Sequence, residues 1–161
     1  MEQQVTRDIA GEESISRALL TLLAGNPYGL DFGFATLDSD FSLYPTGGSA
    51  VLNERRSITG HVAQECAYSF ALVSHGWGQN SQRKMNAKDM LDQLGRWIEG
   101  HPITNDGTVY QLDHWPELTD GRVVRSIART STATLEGIGE DQSELWSISA
   151  RLVYTYEFDA P

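Results

Sequence analysis

The sequence predicts a single α+β domain, with an antiparallel or mixed β-sheet packed on one side by two main helices. Three observations lead there. The 161 residues are about the length of one ordinary domain. Two stretches repeat apolar residues at helical spacing, and several others alternate apolar and polar residues as half-buried strands do. No internal repeat, low-complexity tract or composition shift marks a second domain.

Residues 1–11 are polar, show no sustained period and end at Gly11, so they read as a tail or short flexible arm. From Ser14, the positions Ile15, Ala18, Leu19, Leu22 and Leu23 fall on one helix face, and Gly25 with Pro27 supplies the stop. Leu30, Phe32 and Phe34 then alternate with Asp31 and Gly33 as a short strand. The following LDSDFSLYPTGGSA contains Pro45, Gly47 and Gly48, which predicts a long irregular loop over 37–55. Between Ile58 and Ser74 a long half-buried strand is expected, with Val62, Cys66, Tyr68, Phe70 and Leu72 on its apolar face. Glu65, Ala67, Ser69 and Ala71 share the other face.

The period switches between Ser81 and Gly100, where Ala87, Met90, Leu91, Leu94, Trp97 and Ile98 form a helical stripe. Asn86 and Asp89 stand as an N-cap pair, and Gly100 sits where a C-terminal cap glycine belongs. After a loop containing Asn105-Asp106-Gly107, strands are expected at 122–135 and 144–158, the second alternating from Trp146 to Phe158.

The composition narrows the function. Twelve Lys and Arg against 22 Asp and Glu give a formal charge of −10, which argues against a surface that grips nucleic-acid phosphates. The longest apolar runs are a few residues, far short of the roughly 18 needed to cross a bilayer. The start has neither a basic n-region nor an apolar h-region, so the chain reads as cytosolic in synthesis. A lone cysteine, Cys66, allows no internal disulfide and sits on the apolar face of its strand as a core thiol.

The candidate chemistry is sparse. Ser81-Gln82-Arg83-Lys84 matches S-x-x-K, yet its companion motifs are absent, and a polar first helical turn explains it as well. His61, His75, His101 and His114 are scattered without metal-ligand spacing, so no metal or cofactor is expected. Gly47-Gly48 lacks the lysine and helix of a phosphate loop. Glu136, Glu140, Asp141 and Glu144 lack the alternating ligands of a calcium loop and read as a solvated hairpin end. Basic residues are scarce, so Arg55-Arg56 and the strand arginines Arg125, Arg129 and Arg151 either pair with surplus carboxylates or contact an acidic partner. Trp77 and Trp115 fall in expected loops, where aromatic side chains serve as interface anchors.

The succession of an amphipathic helix, ERRSITGHVAQECAYSFALVSHG, a helix ending LDQLGRWIEGH, and the closing strand ISARLVYTYEF resembles the tail terminator proteins of long-tailed phages. These are often labelled minor capsid proteins in prophages of Gram-positive bacteria. The likeness spans residues 12–158. It rests on Ile58-Thr59-Gly60 running into Tyr68-Ser69-Phe70, and on Leu91, Leu94 and the Trp97-Ile98 pair. It implies a non-enzymatic virion subunit that forms a homohexameric ring on the head-proximal end of the tail tube. Such a ring stops tube polymerisation, meets the tail tube protein and the head-completion or stopper protein, and lets genomic DNA pass without specific binding.

The implied location is the head–tail junction of the virion, with assembly in the host cytoplasm. On this reading the sheet edge near 58–74 or the loop at 37–55 contributes to the subunit junction or to tube contacts, with Arg55 and Arg56 as anchors for acidic partners, and Trp77 and Trp115 are further candidates for subunit or partner contacts. Glu136, Glu140, Asp141 and Glu144 are candidates for facing the channel. Two other readings stand beside it. One is another head–tail connector or a tail tube subunit; the other is a small-molecule binding module with a pocket between the second helix and the sheet.

Overall fold

The computed structural model describes residues 14–36, 39, 41–75, 81–138 and 144–161, with the side chains at 48 and 81–86 left aside. The expected arm at 1–11 lies outside the described residues. Residues 14–24 form helix α1. The strands are β1 (Phe32–Phe34), β2 (Phe41–Arg56), β3 (His61–His75), β4 (Ile103–Asn105), β5 (Thr108–Tyr110), β6 (Arg122–Arg129), β7 (Thr134–Ile138) and β8 (Glu144–Asp159), and helix α2 spans Ser81–Ile98 between β3 and β4. The main sheet runs β1-β2-β3-β8-β6, with β7 also paired to β8. The β1–β2 pair is parallel and all others in this sheet are antiparallel, so the sheet is mixed.

Both helices pack on one face of this sheet, as expected. On α1, Ile15, Leu19 and Leu23 are buried, and the Ser16 hydroxyl meets the Tyr68 hydroxyl of β3 at 2.6 Å. On α2, Ala87, Leu91, Leu94, Trp97 and Ile98 are buried. The helices cover Tyr68, Phe70 and Leu72 of β3 beside Ile148, Ala150 and Leu152 of β8, all of them in one core. The helix comes closest at Gly95, where an added Cβ would meet the Arg129 side chain and lie 2.8 Å from Ile148 Cδ1. Close approach requires the absence of a side chain there.

The α2 C-terminus is closed as Gly100 predicts. Gly100 adopts φ +93°, its N–H donates to the Trp97 carbonyl at 3.0 Å and the His101 N–H to the Arg96 carbonyl at 3.0 Å. The indole Nε1 of Trp115 donates to the Ile98 carbonyl at 2.8 Å, satisfying another terminal acceptor. The α2 start falls at the polar turn expected to open the helix, and only the cap-pair reading is not met. The helix already runs from Ser81, so Asn86 and Asp89 lie within it and do not cap it.

Three further expectations need correction. The loop predicted over 37–55 is largely β2, a 16-residue strand. Pro45 pairs with Phe70 and Gly48 with Ser69, so Thr46 and Gly47 are accommodated as a bulge, and an edge strand tolerates a residue without an N–H. The strand expected at 122–135 is two strands, parted where the Thr130 and Ser131 N–H groups both reach the Ser149 carbonyl. The Asn105-Asp106-Gly107 loop is the tip of the β4–β5 hairpin, in which Asp106 and Gly107 have φ of 53° and 80°. Two positive φ values in a two-residue loop fit the twist of a hairpin, which is why Asp-Gly works there.

On β3 the second face is less open than its alternation suggests. Glu65 is exposed, but Ala67, Ala71 and Val73 are nearly hidden, because small side chains sit low between the flanking strands β2 and β8.

Candidate assembly interface

Among the described residues the sheet leaves one long edge open. β1 pairs with β2 only at Phe41–Leu43, so from Tyr44 to Arg56 β2 has a described strand partner on its β3 side alone. Every residue of 51–59 is exposed. Val51 and Leu52 are 55% and 46% exposed, and Ile58, at the turn into β3, is fully exposed. Edge strands present unpaired N–H and C=O groups, and exposed apolar side chains beside them favour pairing with another chain. The opposite edge is built from β6 and β7, which share β8 as their partner. On the β6 side an isolated bridge joins Glu117 to Val123.

Sequence reasoning offered the strand at 58–74 or the segment 37–55 as a junction. The first is β3, an interior strand paired along its length with β2 and β8, so its backbone cannot accept another chain. The second is β2, the edge itself. No period in the sequence marks it, because the strand is interrupted by two irregularities, at Thr46-Gly47 and at Leu52, which has no partner on β3.

Arg55 and Arg56 lie at the end of β2, opposite Ala63 and Val62 respectively, and both are exposed. Strand alternation sends them to opposite faces, so they do not form one basic patch. Arg55 lines a shallow cleft with Glu65, Arg125 and Glu157. Beside that cleft, Arg125 Nε donates to Thr155 Oγ1 at 3.2 Å.

At the same end of the sheet, His61 Nε2 lies 2.9 Å from Glu157 Oε1 and Nδ1 lies 3.0 Å from Asp159 Oδ1. Hydrogen bonds to Glu157 and then Asp159 favour the imidazolium and raise its pKa above the ordinary 6.5. This clamp joins the start of β3 to the end of β8. No sequence pattern points to it, because the three residues are neighbours only through strand register.

Trp115 is half-buried, anchored on α2 and packed against the core, so its ring is a support for the 111–118 loop as much as a surface. Trp77 lies outside the described residues, as do Glu140 and Asp141. Glu136 is exposed on β7, and its Oε1 accepts a hydrogen bond from the Ser147 hydroxyl at 2.7 Å. Glu144 differs from the expectation of a channel-facing acid. Its position falls on the helix-covered face of β8, it is only 7% exposed, and its Oε1 accepts from Trp146 Nε1 at 3.0 Å.

Cys66 is buried as expected, and burial pushes its thiol pKa up, as it does the Tyr154 phenol. Among the described residues no group of three His, Cys, Asp or Glu side chains could hold a metal ion, and no helix is long and apolar enough to cross a membrane. The side chains of the S-x-x-K segment, 81–84, lie outside those described.

No protein-family model matches the chain, and no curated protein matches it.

Proposed function

We propose that this chain is a structural ring subunit of the tail terminator kind, which caps the head-proximal end of a phage tail tube and joins tail to head. The observation that carries the proposal is the open β2 edge with exposed Val51 and Leu52 on it. A second, unlike edge at β6 and β7 lies across the sheet. Contacts between unlike edges are heterologous, and such contacts close into a ring when the rotation per copy divides a full turn.

The charge suits a conduit. A ring of about six copies would carry a formal charge near −60 before screening, which repels the phosphates of passing DNA. Arg55 and Arg56, exposed at the end of the open edge, are the cations offered to acidic groups of a neighbouring copy, the tail tube protein or the head-completion protein. Of the four candidate acids, Glu136 is the one both described and exposed, and it remains the candidate to border the channel.

Native mass spectrometry over a concentration series, followed by negative-stain imaging, tests the reading. The expected species is a closed ring with a central hole, and the double variant Val51→Lys/Leu52→Lys should remain a folded monomer. Long tubes would instead indicate a tail tube subunit. A monomer at every concentration, with and without purified tubes, would overturn ring assembly.

A further inference from the structure

The segment from His114 to Leu118 folds back over the start of β6 and, with Arg122, Val123 and Val124, encloses a cavity of about 580 Å³. Most of its wall is apolar: Trp115, Pro116, Leu118, Val123 and Val124. The bond from Trp115 to the Ile98 carbonyl holds one wall in place.

Among the described residues Arg122 is the one Arg or Lys in the lining, and its side chain is only 7% exposed. The guanidinium stacks on the Tyr156 ring, 4.1 Å from the centroid. Its Nη1 is buried and has no hydrogen-bond acceptor among the described residues. The ion-pair partner of Nη1 is Asp120 Oδ2 at 3.7 Å, beyond hydrogen-bond reach, on a side chain 75% exposed to solvent.

A guanidinium carries five N–H donors and stays charged in a protein, so it cannot escape burial by losing a proton. Stacking on Tyr156 offsets part of the cost of desolvation, but it supplies no acceptor. Among the described residues no oxyanion lies within hydrogen-bond reach of Nη1, and the cavity beside it is walled for an apolar body.

We propose that Arg122 and this cavity form a binding site for a carboxylate carried on an apolar group. The carboxylate takes the place beside Nη1 that Asp120 only approaches, and the apolar part lies against Trp115, Leu118 and Val124. A monoanion fits better than a phosphate or dicarboxylate, because Glu117 also lines the cavity and Asp120 stands beside the single cation. The same chemistry can come from a small acid or from an acidic residue of a second copy.

Calorimetric titration of the full chain with hexanoate, hexanamide and acetate tests the site. Hexanoate should bind at least about tenfold more tightly than hexanamide, the ratio expected for one charged hydrogen-bonded pair. Acetate, without the apolar body, should bind more weakly than hexanoate. Arg122→Gln should abolish the preference for the acid. If that variant fails to fold, Leu118→Trp, which fills the cavity and keeps the guanidinium, should lose hexanoate binding.

Sedimentation separates the two sources of carboxylate. With an acid from a second copy, hexanoate should dissociate the copies, and Arg122→Gln should do the same. Equal affinity for hexanoate and hexanamide, together with self-association indifferent to Arg122→Gln, overturns the proposal. The β2 variant Val51→Lys/Leu52→Lys lies at the other edge of the sheet and should bind hexanoate at least as tightly as the parent chain, so failure of ring assembly and failure of this site are distinguishable.

Discussion

The Asn26 side chain uses both its ends where α1 gives way to the next segment. Its Nδ2 donates to the Leu23 and Leu30 carbonyls, each at 2.7 Å, and its Oδ1 accepts from the Tyr28 and Leu30 N–H groups, each at 3.0 Å. The residue is 7% exposed, so water cannot replace those partners. Asn26→Ala should therefore cost about 2–3 kcal/mol in urea denaturation, and Asn26→Asp, which keeps the acceptor and loses both donors, should fall between.

His61 works at the same scale in a wetter place. Because its pKa is raised in the folded state, its contribution to stability is fully present below the unfolded value near 6.5 and is lost as pH rises through the folded value. Proton NMR should find His61 titrating above 6.5, and Glu157→Gln should lower that midpoint. Amides at the ends of β3 and β8 should exchange faster above it. An unshifted His61 would refute the clamp. The sequence displays neither feature: Asn26 carries no signal of its own between the Gly25 and Pro27 that supply the stop, and His61 stands apart, since its partners arrive only through pairing with β8.

Between elements, the α2–sheet contact depends on what is missing at Gly95. An added methyl would improve helix propensity by about 1 kcal/mol but must displace the Arg129 side chain and the Ile148 methyl group. Arg129 is not free to move away. Its Nε donates to Glu99 Oε1 at 3.2 Å, its backbone N–H to Glu99 Oε2 at 2.9 Å, and its Nη1 to the Asp92 carbonyl at 3.4 Å. Asp92 Oδ1 in turn accepts the Ala133 N–H at 3.0 Å, tying the β6–β7 bend to the helix.

Gly95→Ala should thus be destabilising by about 1–2 kcal/mol in chemical denaturation, against the direction of intrinsic propensity. Elements with a strong period, α1, α2, β3 and β8, were legible because burial on one face writes itself into the spacing. β2 was not, because an edge strand tolerates Pro45, Gly47 and a bulge that local rules read as a turn. The β4–β5 hairpin was present in the sequence as Asp106-Gly107, the pattern for a two-residue hairpin loop, and a period test misses strands of three residues.

At the scale of the whole molecule, the α+β class and the one-sided helical cover followed from pattern alone, whereas strand order did not. Alternation says which residues face the core, and it is silent on which strand lies beside which. The surfaces proposed for assembly and for carboxylate binding both depend on that order: β2 is an edge because β3 turns to β8, and Arg122 is buried because β6 joins β8 at Tyr156.

The position of β8 has a consequence for the birth of the protein. Residues 144–159 are translated after every other strand, yet they hold the middle of the sheet, paired with β3 on one side and with β6 and β7 on the other. Until they leave the ribosome, β3 lacks one neighbour and β6 and β7 lack their shared one. The nascent chain must wait with one backbone edge of β3 unpaired over about 70 residues of synthesis, several seconds at ordinary elongation rates. That interval presents an unpaired strand edge of the kind that chaperones shield.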